Sequence, residues 1–158
     1  MEFYTTGVYG LDEELFFAKI TDNNIDVFCD IRRRRGVRGA KYAFVNSNRL
    51  QTKLKEINVR YIYKKELSPT KEIRELQKNK DKELCIHKKD RITLSLTFVT
   101  EFNSQILADF DFEQFIMELH GLNAKKIILF CVEEHHEACH RSLVADKLQE
   151  LGYKVTHL

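Results

Sequence analysis

Residues 127–130 read Ile-Ile-Leu-Phe. Successive side chains of a strand point to opposite faces. A strand apolar at every position must therefore be covered on both sides, as strands of parallel sheets are. A strand is expected over Lys126 to Val132. A second run, Ile25 to Ile31, is rich in β-branched and aromatic residues and has the same buried character. Parallel neighbours need long crossover connections, usually helices. The fold class expected is therefore α/β: a three-layer, mainly parallel, Rossmann-like sheet with helices on both faces.

The intervening segments agree. Phe3-Tyr4-Thr5 suits a first strand, and Asp12 suits the cap of a helix carrying Leu15, Phe16 and Ile20. Ser47 or Asn48 is expected to cap a helix with Leu50, Leu54 and Ile57 on one face. Val59 to Tyr63 suits a third strand, and Ser68-Pro69-Thr70 a helix start with proline near the first turn. Lys78 to Lys89 is highly charged and Ile92 to Phe102 fits strand or helix, so neither is assigned. Phe112, Phe115, Ile116 and Leu119 have helical spacing, with Gly121 as the expected stop. A last helix from His140, ended by Gly152, leads to a strand over Tyr153 to Leu158.

The 158 residues contain no repeat, low-complexity tract or Gly/Ser linker, so one α/β domain over 1–158 is expected. An apolar fraction of 43% and a charged fraction of 32% suit a folded domain rather than a disordered chain. No apolar run approaches the roughly 20 residues of a membrane helix. The opening residues lack a basic region followed by an apolar stretch. No membrane partner is expected, and cytoplasm is the default compartment. Cysteines 29, 85, 131 and 139 show no paired Cys-x-x-Cys spacing, so no metal ligand is assigned. The cofactor is likewise unassigned.

Right-handed crossovers place the ends of successive parallel strands on one edge. Ligands of such sheets bind outside those carboxyl ends. Three of the expected strand ends are unusually polar or turn-rich: Thr5-Thr6-Gly7, Asp30-Ile31-Arg32 and Cys131-Val132-Glu133. Their convergence is expected to form the site.

Cys139-His140-Arg141-Ser142 lies where a loop enters a helix, whose free N–H groups and dipole favour an anion. Arg141 adds a planar fork for phosphate or carboxylate. Alternatively, it pairs with Glu137 or Glu134 while Cys139 simply packs. Cys131 or Cys139, beside His140, has the surroundings of a nucleophile, yet buried cysteine is commonly inert. A phosphatase loop is excluded: Cys131 and Arg141 are too far apart, and the acidic segment between them has no glycine. Glu133 suits acid–base work if apolar neighbours surround it.

Asp30 can bind a ribose hydroxyl, act as a base, or pair with Arg32 to fix the following loop. The net charge is only +2, but Arg32, Arg33, Arg34, Arg35 and Arg38 form a local basic segment suited to phosphate. Tyr42 and Phe44 follow it, placed either to stack on bases or to anchor the loop. The candidate catalytic residues are Asp30, Glu133, Cys131 and Cys139. The candidate substrate contacts are Thr6, Gly7, Arg32, Arg38, Tyr42, His140 and Arg141.

The same segments resemble, in order and over nearly the whole chain, the family called domain of unknown function 488. Tyr4-Thr5-Thr6-Gly7 looks like its opening turn, and Asp30-Ile31-Arg32 is similar to its Asp-Val-Arg segment. Arg38, Tyr42-Ala43-Phe44 and Asn46 resemble the loop that follows. Leu50, Leu54 and Val59-Arg60-Tyr61 resemble its helix and short strand, and Glu66-Leu67-Ser68-Pro69-Thr70 a segment of some members. The most specific part is Cys131-Val132-Glu133 with Cys139-His140-Arg141-Ser142-Leu143. This chain departs in its denser arginine run, in Thr6 where many members have isoleucine, and in its acidic, histidine-rich loop. The resemblance implies the fold and the site, not a reaction.

The function expected is a small enzyme acting on a nucleotide, a nucleic acid or another phosphorylated substrate. One alternative is a non-catalytic nucleotide- or nucleic-acid-binding module. A further alternative is a cysteine-based redox or metal-binding protein using Cys131, Cys139 and His140. An anionic partner is common to the first two.

Overall fold

Which helices lie on which side of the sheet is set by alternation along the strands. The computed structural model describes residues 1–87 and 90–158. Its strands are β1 (Glu2–Thr6), β2 (Val27–Asp30), β3 (Arg60–Tyr63), β4 (Lys126–Phe130) and β5 (Lys154–His157). Every pairing is parallel, and the order is β3-β2-β4-β1-β5. The apolar run of β4 is the centre of this sheet, hydrogen-bonded to β2 and β1.

Ile127 and Leu129 join Phe3, Val27 and Cys29 in one apolar layer, while Ile128 and Phe130 join Tyr4 and Phe28 in the other. Two helices, α1 (Glu13–Asp22) and α2 (Ser47–Glu56), cover the second layer with Phe16, Ile20, Leu50 and Leu54. Four helices cover the first: α3 (Lys71–Glu83), α4 (Leu96–Phe102), α5 (Phe112–Gly121) and α6 (His140–Glu150). This is the three-layer, parallel α/β fold that the apolar runs demand. Among the described residues, no helix is long and apolar enough to cross a membrane.

Asp12 caps α1 as expected, its carboxylate accepting from Leu15 N at 2.8 Å. Several element ends differ from expectation. Helix α2 is capped by neither Ser47 nor Asn48. Asn46 precedes it, and the Asn46 side chain instead accepts from Val37 N at 2.7 Å, closing the basic segment against the helix start. Thr70 caps α3, so Pro69 stands just outside the first turn. The charged stretch from Lys78 is helical to Glu83, while residues 88 and 89 lie outside the described set. Of Ile92 to Phe102, only Leu96 onward is regular, as α4 followed by a π-turn over Asn103–Leu107. Gly121 is the last residue of α5, and the left-handed residue beyond is Asn123. The β4 ladder ends at Phe130, so Cys131 opens the following loop instead of closing the strand.

Candidate functional site

With every strand parallel, all five carboxyl ends share one edge. Register places Thr6 beside Phe130 and Phe130 beside Asp30. The turns after β1, β2 and β4 are therefore neighbours, which is the convergence their polarity suggested. Backbone bonds lock two of them: Val132 O accepts from Val8 N and Tyr9 N at 3.2 and 3.0 Å.

Gly7 explains the tightness of this junction. A Cβ there would lie 1.9 Å from Glu133 O and 3.3 Å from Arg141 Nη1. Only a residue without a side chain lets the two turns touch. Gly7, expected as a ligand contact, permits this close packing. Gly7→Ala is expected to destabilise the fold by at least about 2 kcal/mol, because the contact is with backbone that must shift. Chemical denaturation measures this; a loss within error of zero would refute the close approach. Thr6, also expected as a substrate contact, is wholly buried, with its hydroxyl donating to Gly7 O.

Asp30 and Arg32 are joined below the surface. Arg32 Nε donates to Asp30 Oδ1 at 2.9 Å and Nη2 to Oδ2 at 2.8 Å, with both side chains at most 2% exposed. Arg32 N and the Tyr61 hydroxyl complete the carboxylate's partners, at 3.1 and 2.7 Å. Burial, then the Asp30 charge, raise the Tyr61 pKa, which keeps that hydroxyl a donor. The Arg32 guanidinium also lies 4.6 Å from the Phe130 ring centroid. Its planar group is thus committed to holding the turn after β2, a different task from the anion contact expected of it. The same geometry engages both carboxylate oxygens of Asp30, a candidate catalytic residue, within the protein.

Arg141 is likewise committed. It is 1% exposed; Nη1 donates to Glu133 O at 2.5 Å and Nη2 to Glu134 O at 2.8 Å. It pairs with neither carboxylate side chain expected for it; both fork nitrogens donate to these carbonyls. It shapes the loop between β4 and α6 by satisfying that loop's carbonyls.

A cleft of about 720 Å³ lies along this loop. It is lined by Tyr9, Gly10 and Tyr42, by Glu133, Glu134, His135 and Ala138 of the loop, and by His87 and Arg91. The Tyr9 and Tyr42 rings are 5.2 Å apart, and the Tyr42 hydroxyl accepts from Gly10 N at 3.2 Å. Phe44 is buried in the core, whereas Tyr42 is open to the cleft. Arg91 Nη2 donates to Ala138 O at 3.1 Å and stands 4.0 Å from Glu133 Oε1, while Nη1 pairs with Asp81. Arg38 is exposed outside this lining. Sequence reasoning did not find Arg91, Tyr9 or His87. Arg91 lies in a stretch without periodicity, and only the approach of residues 91–95 to the 133–138 loop brings it here.

Cys131, Cys139 and His140 meet on the other side of the same loop. Cys139 immediately precedes α6 in extended conformation, and His140 and Arg141 open the helix, which turns their side chains apart. His140 Nδ1 is 3.8 Å from each sulfur, and Nε2 donates to Ile31 O at 3.1 Å. Burial pushes the Cys139 thiol up, but a hydrogen bond from Cys131 and the nearby His140 and Arg141 outweigh it and hold the thiol below its ordinary range. The same hydrogen bond, with burial, pushes Cys131 up. His140 is 7% exposed, so it faces these sulfurs and not the cleft where a substrate contact was expected.

No curated protein and no solved structure matches this chain. A family model described as a domain of unknown function, DUF488, matches residues 13–148, which span α1, the loops after β2 and β4, and most of α6. The chain therefore belongs to the DUF488 family.

Proposed function

We propose that this protein is an enzyme that binds a nucleotide or a related phosphorylated ligand in the cleft along the 133–138 loop, with Glu133 as its acid–base residue. The observation that carries this reading is the composition of the cleft at the carboxyl edge. Two tyrosines with rings in contact line it together with a largely buried carboxylate, Glu133, beside Arg91. Ligands of parallel α/β sheets bind at this edge, and the volume suits a small molecule. His87 and His135 supply donors for an anionic group, and the chain carrying Arg38 leads into Tyr42. Asp30, Arg32 and Arg141 hold the walls in place.

The test is titration at low salt with nucleoside monophosphates, a short single-stranded oligonucleotide and inorganic phosphate. Tyr42→Ala is expected to weaken nucleotide binding by about 1–3 kcal/mol, the usual worth of base–aromatic stacking. Glu133→Gln is expected to keep binding and to lower turnover of the bound nucleotide by about 100-fold or more. Absence of any nucleotide or oligonucleotide binding overturns the proposal.

A non-catalytic nucleic-acid module is favoured by one separate observation. Arg33, Arg34 and Arg38 are partly or fully exposed and line no part of the cleft; burial, then the charges of Arg33 and Arg34, lower the Arg74 pKa, against Glu75 and Glu72. On this reading oligonucleotides bind with a steep salt dependence, and neither Tyr42→Ala nor Glu133→Gln changes the affinity.

A further inference from the structure

We propose that Cys131, Cys139 and His140 form a three-ligand site for a divalent cation of the zinc class. This site is separate from the cleft and does not depend on what the cleft binds.

The spacing matches no paired-cysteine pattern, because Cys131 belongs to the loop after β4 while Cys139 and His140 stand at the start of α6. Their ligand atoms, two sulfurs and Nδ1, all lie within 4.8 Å of one another. A tetrahedral zinc with usual bond lengths would hold sulfur and nitrogen about 3.6 Å apart. The observed separations of 3.8 Å to both sulfurs need a contraction of only a few tenths of an ångström.

The histidine is oriented as a ligand. A carbonyl only accepts, so the 3.1 Å contact with Ile31 O places the ring hydrogen on Nε2. Nδ1 is thereby turned toward the sulfurs. Metal-binding histidines generally use this outer contact to fix ring orientation and tautomer. The Phe102 ring, with its centroid 5.6 Å away, packs against the imidazole. The ring is therefore aimed before any ion arrives.

The charge also suits burial. Cys131 and Cys139 are 7% and 2% exposed. Two thiolates neutralise a divalent cation, so the assembled centre carries no net charge into the interior. Such an ion takes both sulfurs as thiolates and Nδ1 in its unprotonated form. Thiolate and imidazole donors select zinc-class ions over magnesium or calcium, which take oxygen ligands.

The experiment uses the full chain, purified reduced and without chelator, titrated with Co²⁺ and then Zn²⁺. One Co²⁺ per chain is expected, with a thiolate-to-cobalt charge-transfer band in the near ultraviolet that Zn²⁺ abolishes. Cys131→Ser, Cys139→Ser and His140→Ala should each weaken Co²⁺ binding by about 100-fold or more. Cys85→Ser changes an exposed thiol and should leave the band intact. No charge-transfer band from the wild-type chain overturns the proposal, as does a band that persists in Cys131→Ser and Cys139→Ser or disappears in Cys85→Ser. Reduced protein that forms a Cys131–Cys139 disulfide in air and takes up no Co²⁺ also overturns it. Should a buried-cysteine variant fail to fold, the wild-type and Cys85→Ser spectra still decide.

Discussion

Replacing Asp30 with asparagine is expected to lower the unfolding free energy by about 3–5 kcal/mol, the usual effect of removing one partner of a buried ion pair. Asparagine keeps the shape but not the charge. The Arg32 guanidinium would then be buried without a counter-charge, since its neighbours are the Phe130 ring and the Arg35 carbonyl at 3.5 Å. One of its nitrogens, Nη1, already lacks a partner. The Tyr61 hydroxyl would lose its carboxylate acceptor as well. The attraction inside the pair is offset by the desolvation of both groups. The double variant Asp30→Asn/Arg32→Met is therefore expected to recover most of the loss, because apolar replacements of buried pairs are often neutral. Denaturant unfolding of the two single variants and the double variant gives the coupling directly. Additive losses would show that the two side chains do not act as a pair.

Replacing Arg141 with leucine is expected to remove about 3 kcal/mol, for a different reason. No charged pair is broken. Two main-chain carbonyls, Glu133 O and Glu134 O, lose their donors inside the protein. Each buried acceptor left unsatisfied costs about 1–3 kcal/mol. The loss is moderated because leucine no longer buries a guanidinium whose Nε is itself unpartnered. Arg141→Lys is expected to recover little. A lysine ammonium is a point charge on a flexible stem and does not present two parallel donors to two carbonyls. The opening should be local. Hydrogen exchange should rise first at residues 133–138, ahead of the β4 ladder. Unchanged stability of Arg141→Leu would mean that these carbonyls find other partners.

Both substitutions act on the scaffold of the cleft, and the contrast with Glu133 follows from burial and position. Two nitrogens of Arg32 and both Nη atoms of Arg141 are bound within the protein, and both side chains are buried. The groups open to the cleft are Tyr9, Tyr42, Arg91 and Glu133.

Much of the fold was legible because its signals are local. Four consecutive apolar residues at 127–130 demand cover on both faces wherever the strand ends up. Asp12 caps α1 through a contact three residues away. Helical spacing in Leu50 and Leu54, or Phe112, Phe115 and Leu119, needs only the geometry of one helix. Element ends were less legible. Asn46 could serve Val37 or the helix start, and only the folded loop decides between them.

From sequence alone, then, came the layered parallel α/β architecture, the family resemblance and the strand-end segments from which the site is built. Periodicity and turn chemistry are properties of neighbouring residues. The tertiary structure alone decided what each charged or sulfur-bearing group does. The order β3-β2-β4-β1-β5 brings the turn after β1 onto Glu133 and sets Ile31 O against His140. Burial then matches each buried polar group with whatever partner the crossovers place within reach. That choice sends Arg32 to Asp30, Arg141 to two carbonyls and His140 to two sulfurs. It spans up to 109 residues of chain, a range on which local pattern carries no information.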